Sequence, residues 1–73
     1  MAIKYIMTKD KGIVMFSGIL GHDEVAAKFG GAISAGFINL DGEDTKCYGE
    51  SISLNLESSE NDSDIAIRQL YYN

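Results

Sequence analysis

The sequence contains no proline, no tryptophan, one cysteine and one histidine, and only six of its 73 residues are basic. Each scarcity removes a class of protein. With no proline, no Gly/Ser-rich stretch and no internal repeat, nothing marks a linker, and the chain reads as one domain over residues 1–73. Without tryptophan, a core must come mostly from Ile, Leu, Val and Met. Cys47 has no partner for an internal disulfide, whereas small secreted domains offset weak cores with several. A reducing, cytoplasmic setting is therefore expected. One cysteine and one histidine also fall short of the four ligands of a structural zinc site, so neither a metal nor a cofactor is expected.

Positive charge is scarce too. Eleven acidic residues face six basic ones, for a formal net charge of −5. The basic residues Lys4, Lys9, Lys11, Lys28, Lys46 and Arg68 are scattered along the sequence. Nucleic-acid binding draws most of its affinity from phosphate contacts by clustered Lys and Arg, so direct binding to nucleic acid or to an anionic membrane is not expected. The longest apolar-leaning run, Gly12 to Leu20, is far shorter than the roughly 20 residues of a membrane helix. The first residues have no long apolar stretch and no small-residue cleavage site, so no signal peptide is expected either. Protein partners, a second copy of the chain or a small ligand remain.

What is present suits a folded protein: 45% of residues are hydrophobic and 23% charged. A domain this short buries only about 60% of its unfolded surface, and homodimerisation is one route to a larger core. Ile3, Tyr5 and Met7 alternate as in a first strand, and Thr8-Lys9-Asp10-Lys11-Gly12 reads as a turn. Ile13-Val14-Met15-Phe16, apolar on both faces, reads as a second strand lying inside a sheet. His22-Asp23-Glu24 carries acidic charge suited to a helix start and Gly30-Gly31 a helix stop, which predicts a helix over 22–29. Residues 32–40 return to strand composition, with Gly36 marking a bulge or close-packing point. Asp41-Gly42 predicts a hairpin turn, followed by a strand over 45–56 with Ile52, Leu54 and Leu56 inward and Ser51, Ser53 and Asn55 outward, interrupted or bulged at Gly49. Asn61 as a cap, with Asp62 and Asp64 behind it, favours a C-terminal helix over 61–71; the alternation of Ile65, Ile67 and Tyr71 leaves a strand as the competing reading. The expected fold is α+β: a small antiparallel sheet of about four strands with the 22–29 helix packed on it, in ββαββα order.

No catalytic constellation stands out. His22 beside Asp23 and Glu24 reads as a helix-start histidine, because sequence neighbours on a helix do not face each other. Cys47, the only cysteine, sits between strand-like neighbours and reads as a small buried apolar residue. The acidic tract Asp41-Gly42-Glu43-Asp44 lacks the alternating spacing of a calcium loop. Gly18-Ile19-Leu20-Gly21 lacks the Lys-Ser/Thr of a phosphate loop, and Asp23 and Glu24 would repel a phosphate there. Tyr48, Glu50, Tyr71 and Tyr72 are the candidate binding residues, since tyrosines suit interfaces with one apolar and one wet end.

The stretches Ile33-Ser34-Ala35-Gly36-Phe37 and Cys47-Tyr48-Gly49-Glu50-Ser51-Ile52-Ser53-Leu54, with His22-Asp23-Glu24-Val25-Ala26 upstream, together resemble short proteins encoded by phages and prophages. The resemblance implies a mobile-element origin and a host cytoplasm, and it brings no activity with it. The functional expectation is a non-enzymatic protein-binding or regulatory protein that contacts a protein partner or itself. The alternative is a small enzyme or ligand binder using a dimer cleft around Cys47, Tyr48 and Glu50.

Overall fold

In the computed structural model, which describes residues 2–72 of the expected 1–73 unit, the chain opens with a β-hairpin. Strands β1 (Ile3–Thr8) and β2 (Gly12–Ser17) pair antiparallel with Tyr5 opposite Met15. The Thr8 hydroxyl closes the turn, donating to the Gly12 carbonyl at 2.8 Å and accepting the Lys11 N–H at 3.0 Å. Helix α1 (His22–Lys28) follows, then β3 (Ser34–Asn39) on the other side of β1, with Gly36 opposite Tyr5. Strand β4 (Lys46–Tyr48) completes an antiparallel sheet of order β2-β1-β3-β4. A second, two-stranded sheet is made by β5 (Glu50–Ser51) and β6 (Leu56–Glu57), and helix α2 (Asp62–Tyr71) ends the fold. The α+β class and the approximate ββαββα order agree with the sequence reading.

Strand alternation decides what each face of the sheet meets. Tyr5, Met7, Ile13 and Ile38 form one cluster with Ala66 of α2, and Ile3, Met15, Cys47 and Leu70 pack against it. Ile6 and Ala35 face the other way and cluster with Val25 and Ala26 of α1, with Leu54 and Leu56 of the small hairpin packed alongside. The main sheet is thus covered by α2 on one face, and by α1 and the β5–β6 hairpin on the other. This explains why Ile13–Phe16 is apolar on both faces although β2 is an edge strand and not an interior one: both faces are covered, while no further strand pairs with its outer edge.

Helix α2 also reaches round to the edges. The Gln69 side-chain amide accepts the Ile13 N–H at 2.9 Å and donates to the Ile13 carbonyl at 3.0 Å, standing in for a neighbouring strand along β2. At the opposite edge, Ser63 Oγ accepts the Cys47 N–H of β4 at 2.8 Å. Occupied edge groups of this kind discourage strand addition by another chain.

Several local expectations change. Asp41-Gly42 makes no tight hairpin; Gly42–Asp44 forms a 3-10 turn, with the Thr45 hydroxyl donating to the Gly42 carbonyl at 2.7 Å and accepting the Asp41 N–H at 2.9 Å. The 45–56 strand is interrupted at Gly49 as expected, where φ is +77° and suits glycine. Residues 52–55 then turn instead of extending, with Asn55 at φ +54° and its N–H bonded to the Ile52 carbonyl at 3.2 Å. Alternation therefore fails: Ser51 is 1% exposed and Ile52 90% exposed, while Leu54 and Leu56 do turn inward. Asn61 makes no side-chain cap. Ala66 and Leu70 of α2 face the sheet, but Ile65 and Tyr72 are exposed.

Candidate functional site

A groove of about 590 Å³ opens on the α1 face, between the start of α1, the β3–β4 pair and the β5–β6 hairpin. His22, Phe37, Tyr48, Glu50 and Ile52 contribute to its lining. The residues arrive there for different reasons. Phe37 and Tyr48 are direct cross-strand partners on β3 and β4, and their rings stack with centroids 5.8 Å apart and planes 28° apart. Ile52 is thrown outward by the turn that follows β5, and that turn is held by the buried Ser51 hydroxyl, which accepts the Leu54 N–H at 3.2 Å. His22 comes from the first position of α1, which also turns Val25 and Ala26 inward.

His22 is 4% exposed and sits edge-on between two aromatic rings, 5.5 Å from Phe16 and 5.8 Å from Phe37. Its Nε2 lies 2.8 Å from the Gly36 carbonyl. A carbonyl only accepts, so Nε2 carries the proton, and in the neutral ring Nδ1 holds a free lone pair. Among the described residues Nδ1 has no hydrogen-bond partner, and no fully buried side-chain N or O atom lacks one. Nδ1 must therefore retain some contact with solvent, and His22 is one of the residues lining the groove.

The opposite face of the sheet gathers a different set of polar groups. Asp62, 2% exposed at the start of α2, accepts three hydrogen bonds on Oδ2: from the Tyr5 hydroxyl at 2.6 Å, the Ser34 hydroxyl at 2.7 Å and the Ser59 N–H at 3.0 Å. Burial, reinforced by the Asp62 carboxylate, drives the Tyr5 hydroxyl far above the usual tyrosine range. The same two causes push the Cys47 thiol up to about 11, against smaller opposing effects from the Ser63 and Tyr5 side chains. A thiol so shifted is almost wholly protonated near neutrality and is a poor nucleophile.

Cys47 and Tyr48 are neighbours on β4 and point to opposite faces, so Cys47 does not share a cleft with Tyr48 and Glu50 within one chain. His22 and Cys47 are likewise divided by the sheet. Tyr48 and Glu50 both line the groove. Tyr71 and Tyr72 are exposed at the end of α2; a hydrogen bond to Glu43 raises the Tyr72 hydroxyl above its ordinary range. Among the described residues no group of three or more His, Cys, Asp and Glu is placed to hold a metal ion, and no helix is long and apolar enough to cross a membrane.

A smaller cavity of about 370 Å³ lies at the other end of α1, where Lys9, Asp10 and Lys11 of the β1–β2 turn meet Phe29 to Ile33. The Lys11 ammonium stands 5.9 Å from the Phe29 ring centroid. Its two ammonium groups share the turn with a carboxylate, and it contains no buried polar atom awaiting a partner. The larger groove is the stronger candidate.

Sequence reasoning passed over Phe37 and Ile52 as functional residues, and weighed His22 but read it as a helix-start residue. His22 left a readable signal: with Val25, Ala26 and Phe29 it makes an i, i+3, i+4, i+7 series, which places it on the buried stripe of α1. Ile52 left none, because Ser51-Ile52-Ser53-Leu54 satisfies a strand period as well as it does a turn. No protein-family model matches the chain, and no curated protein and no solved structure shows significant similarity to it.

Proposed function

We propose that this protein is a non-enzymatic protein-binding domain, working in the cytoplasm, whose contact surface is the groove between α1 and the β5–β6 hairpin. The observation that carries the reading is the pairing of a stacked Phe37–Tyr48 platform with an isoleucine, Ile52, left 90% exposed by a hydrogen-bonded turn. Aromatic and aliphatic groups fixed beside a concave surface are the usual anchors of protein contacts. The position of Cys47 weighs against the enzymatic alternative, since its thiol is shifted toward the inert form and lies across the sheet from the groove. The partner is another protein or a second copy of this chain, and the resemblance to phage-encoded proteins supports a partner in a host cell. Direct nucleic-acid contact is not part of the reading, because the groove's lining carries two carboxylates, Asp23 and Glu50, against one ammonium, Lys4.

A photo-crosslinking amino acid at position 52, compared with one at the exposed Glu60, tests this in the native host cell. The expected result is a discrete adduct from position 52, absent from position 60 and lost when Tyr48→Ala is added. A doubled mass would identify self-association. Matching adduct patterns from the two positions would overturn the reading.

A further inference from the structure

Among the groove's charged groups, carboxylates outnumber ammonium groups two to one. His22 Nδ1 offers a lone pair, and the Glu50 and Asp23 carboxylates on the rim have no ion-pair partner among the described residues. One cation, the Lys4 ammonium, also lines the groove, tethered to the Leu20 carbonyl at 2.8 Å, and the two carboxylates outnumber it; the Ser53 hydroxyl is paired with Ser51 at 3.3 Å. The Glu24 carboxylate accepts the Gly21 N–H at 2.9 Å and so fixes the start of α1 beside the groove. An acceptor-rich pocket with an aromatic face selects a flat, cationic hydrogen-bond donor.

We propose that the groove takes the guanidinium of an arginine carried on a protein segment. Resting on the reading of the groove as a protein-contact site, this names the chemistry of the partner's anchor. The guanidinium stacks on the Tyr48 ring, which Phe37 backs from behind, and donates to Glu50, Asp23 and His22 Nδ1. A planar fork with five N–H donors serves several acceptors at once, as a compact ammonium does not. The volume of about 590 Å³ leaves room for the side chain's methylenes against Ile52 and for flanking backbone. The net charge of −5 draws such a cationic segment in.

The test is an amide NMR titration of the intact protein with acetyl-Ala-Arg-Ala-amide, set against the same tripeptide with citrulline, which keeps the shape and loses the charge. The expected result is a set of shift changes confined to residues 21–23, 37 and 48–53, with the citrulline peptide at least about fivefold weaker. The Nδ1 resonance of His22 should move as its lone pair accepts. Glu50→Gln, a change at an exposed position, should weaken the arginine peptide by about threefold or more and flatten its salt dependence. Equal binding of the citrulline peptide, or shift changes centred elsewhere, would overturn the arginine assignment. If a neutral apolar peptide filled the groove as tightly, that assignment would fail while the protein-contact reading stood; loss of the position-52 adduct would strike the protein-contact reading instead.

Discussion

The two faces of the main sheet treat their polar atoms in opposite ways. On the α2 face, donors and acceptors are used up inside the molecule: Asp62 takes Tyr5, Ser34 and Ser59, while Ser63 and Gln69 fasten the helix to both sheet edges. On the α1 face, seven helical residues and a short hairpin leave a groove, and His22 commits one ring nitrogen to Gly36 and keeps the other. A fully satisfied buried network fixes structure, whereas an unspent acceptor beside exposed aromatic groups is available to a partner. The comparison locates stability on one face and contact chemistry on the other, and substitutions should separate them.

The largest effect should come from the closed face. Asp62→Ala removes the acceptor of three hydrogen bonds and strands the Tyr5 and Ser34 hydroxyls in the interior. A loss of about 3 kcal/mol or more is expected, read from the midpoint of urea unfolding. Asp62→Asn, which keeps one acceptor oxygen, should fall between wild type and alanine. A wild-type midpoint for Asp62→Ala would show that the two faces do not differ as described.

Gly36→Ala comes next. A β-carbon at Gly36 would collide with the Tyr48 carbonyl oxygen and press on Gly49 at 3.3 Å. Both obstacles are backbone, so neither can swing aside, and about 2 kcal/mol of destabilisation is expected from thermal or urea unfolding. This residue joins the faces, because its own carbonyl receives His22 Nε2. A displaced β3 should therefore also shift the His22 ring resonances, which a purely local clash would leave alone.

A smaller effect concerns alkaline pH. The Cys47 thiol rises from an ordinary value of 9.0 to about 11 in the folded protein, through burial first and Asp62 second. The unfolded chain then releases this proton earlier than the folded one. Stability from this source is complete below about pH 9 and drains away as pH climbs through 11. Unfolding midpoints measured from pH 8 to 11 should fall, and Cys47→Ala should shallow the fall without abolishing it, since Tyr5 is displaced in the same direction.

The sequence conveyed the elements better than the contacts on either face, for a physical reason. Strand alternation in Ile3–Met7 and the glycine stop after residue 29 are short-range signals, and each placed its element within a few residues. The Asp62 network joins residues 28 and 57 positions apart, which no local pattern encodes. Asn61 looked like the helix cap because its type fits, yet tertiary contacts gave the adjacent Asp62 carboxylate the central part. The groove depends on a single break at Gly49: once the chain turns there, Ser51 goes in and Ile52 out, reversing the parity that alternation assigned. Tyr48 and Glu50, chosen for residue type, flank that break and line the groove; Tyr71 and Tyr72, chosen on the same grounds, end up on α2 away from it.

The smallest effect on stability, and the sharpest contrast between faces of one turn, should come from the pair Ile52 and Leu54. Both are branched aliphatics on the β5–β6 hairpin, two positions apart. Leu54 packs against the Ile6–Val25 cluster, so Leu54→Ala should cost about 2 kcal/mol through lost burial and a residual cavity. Ile52 is 90% exposed and has little burial to lose, so Ile52→Ser should change unfolding free energy by no more than about 0.5 kcal/mol. Serine at this position also removes an exposed apolar surface, which lowers non-specific association. A domain with no use for Ile52 would lose nothing by the exchange. If the groove is a contact surface, Ile52→Ser should instead reduce partner crosslinking, read from a probe placed at Ser53, by about fivefold or more while the melting temperature holds. A variant that kept both its melting temperature and its adduct would remove Ile52 from the contact and leave its exposure unexplained.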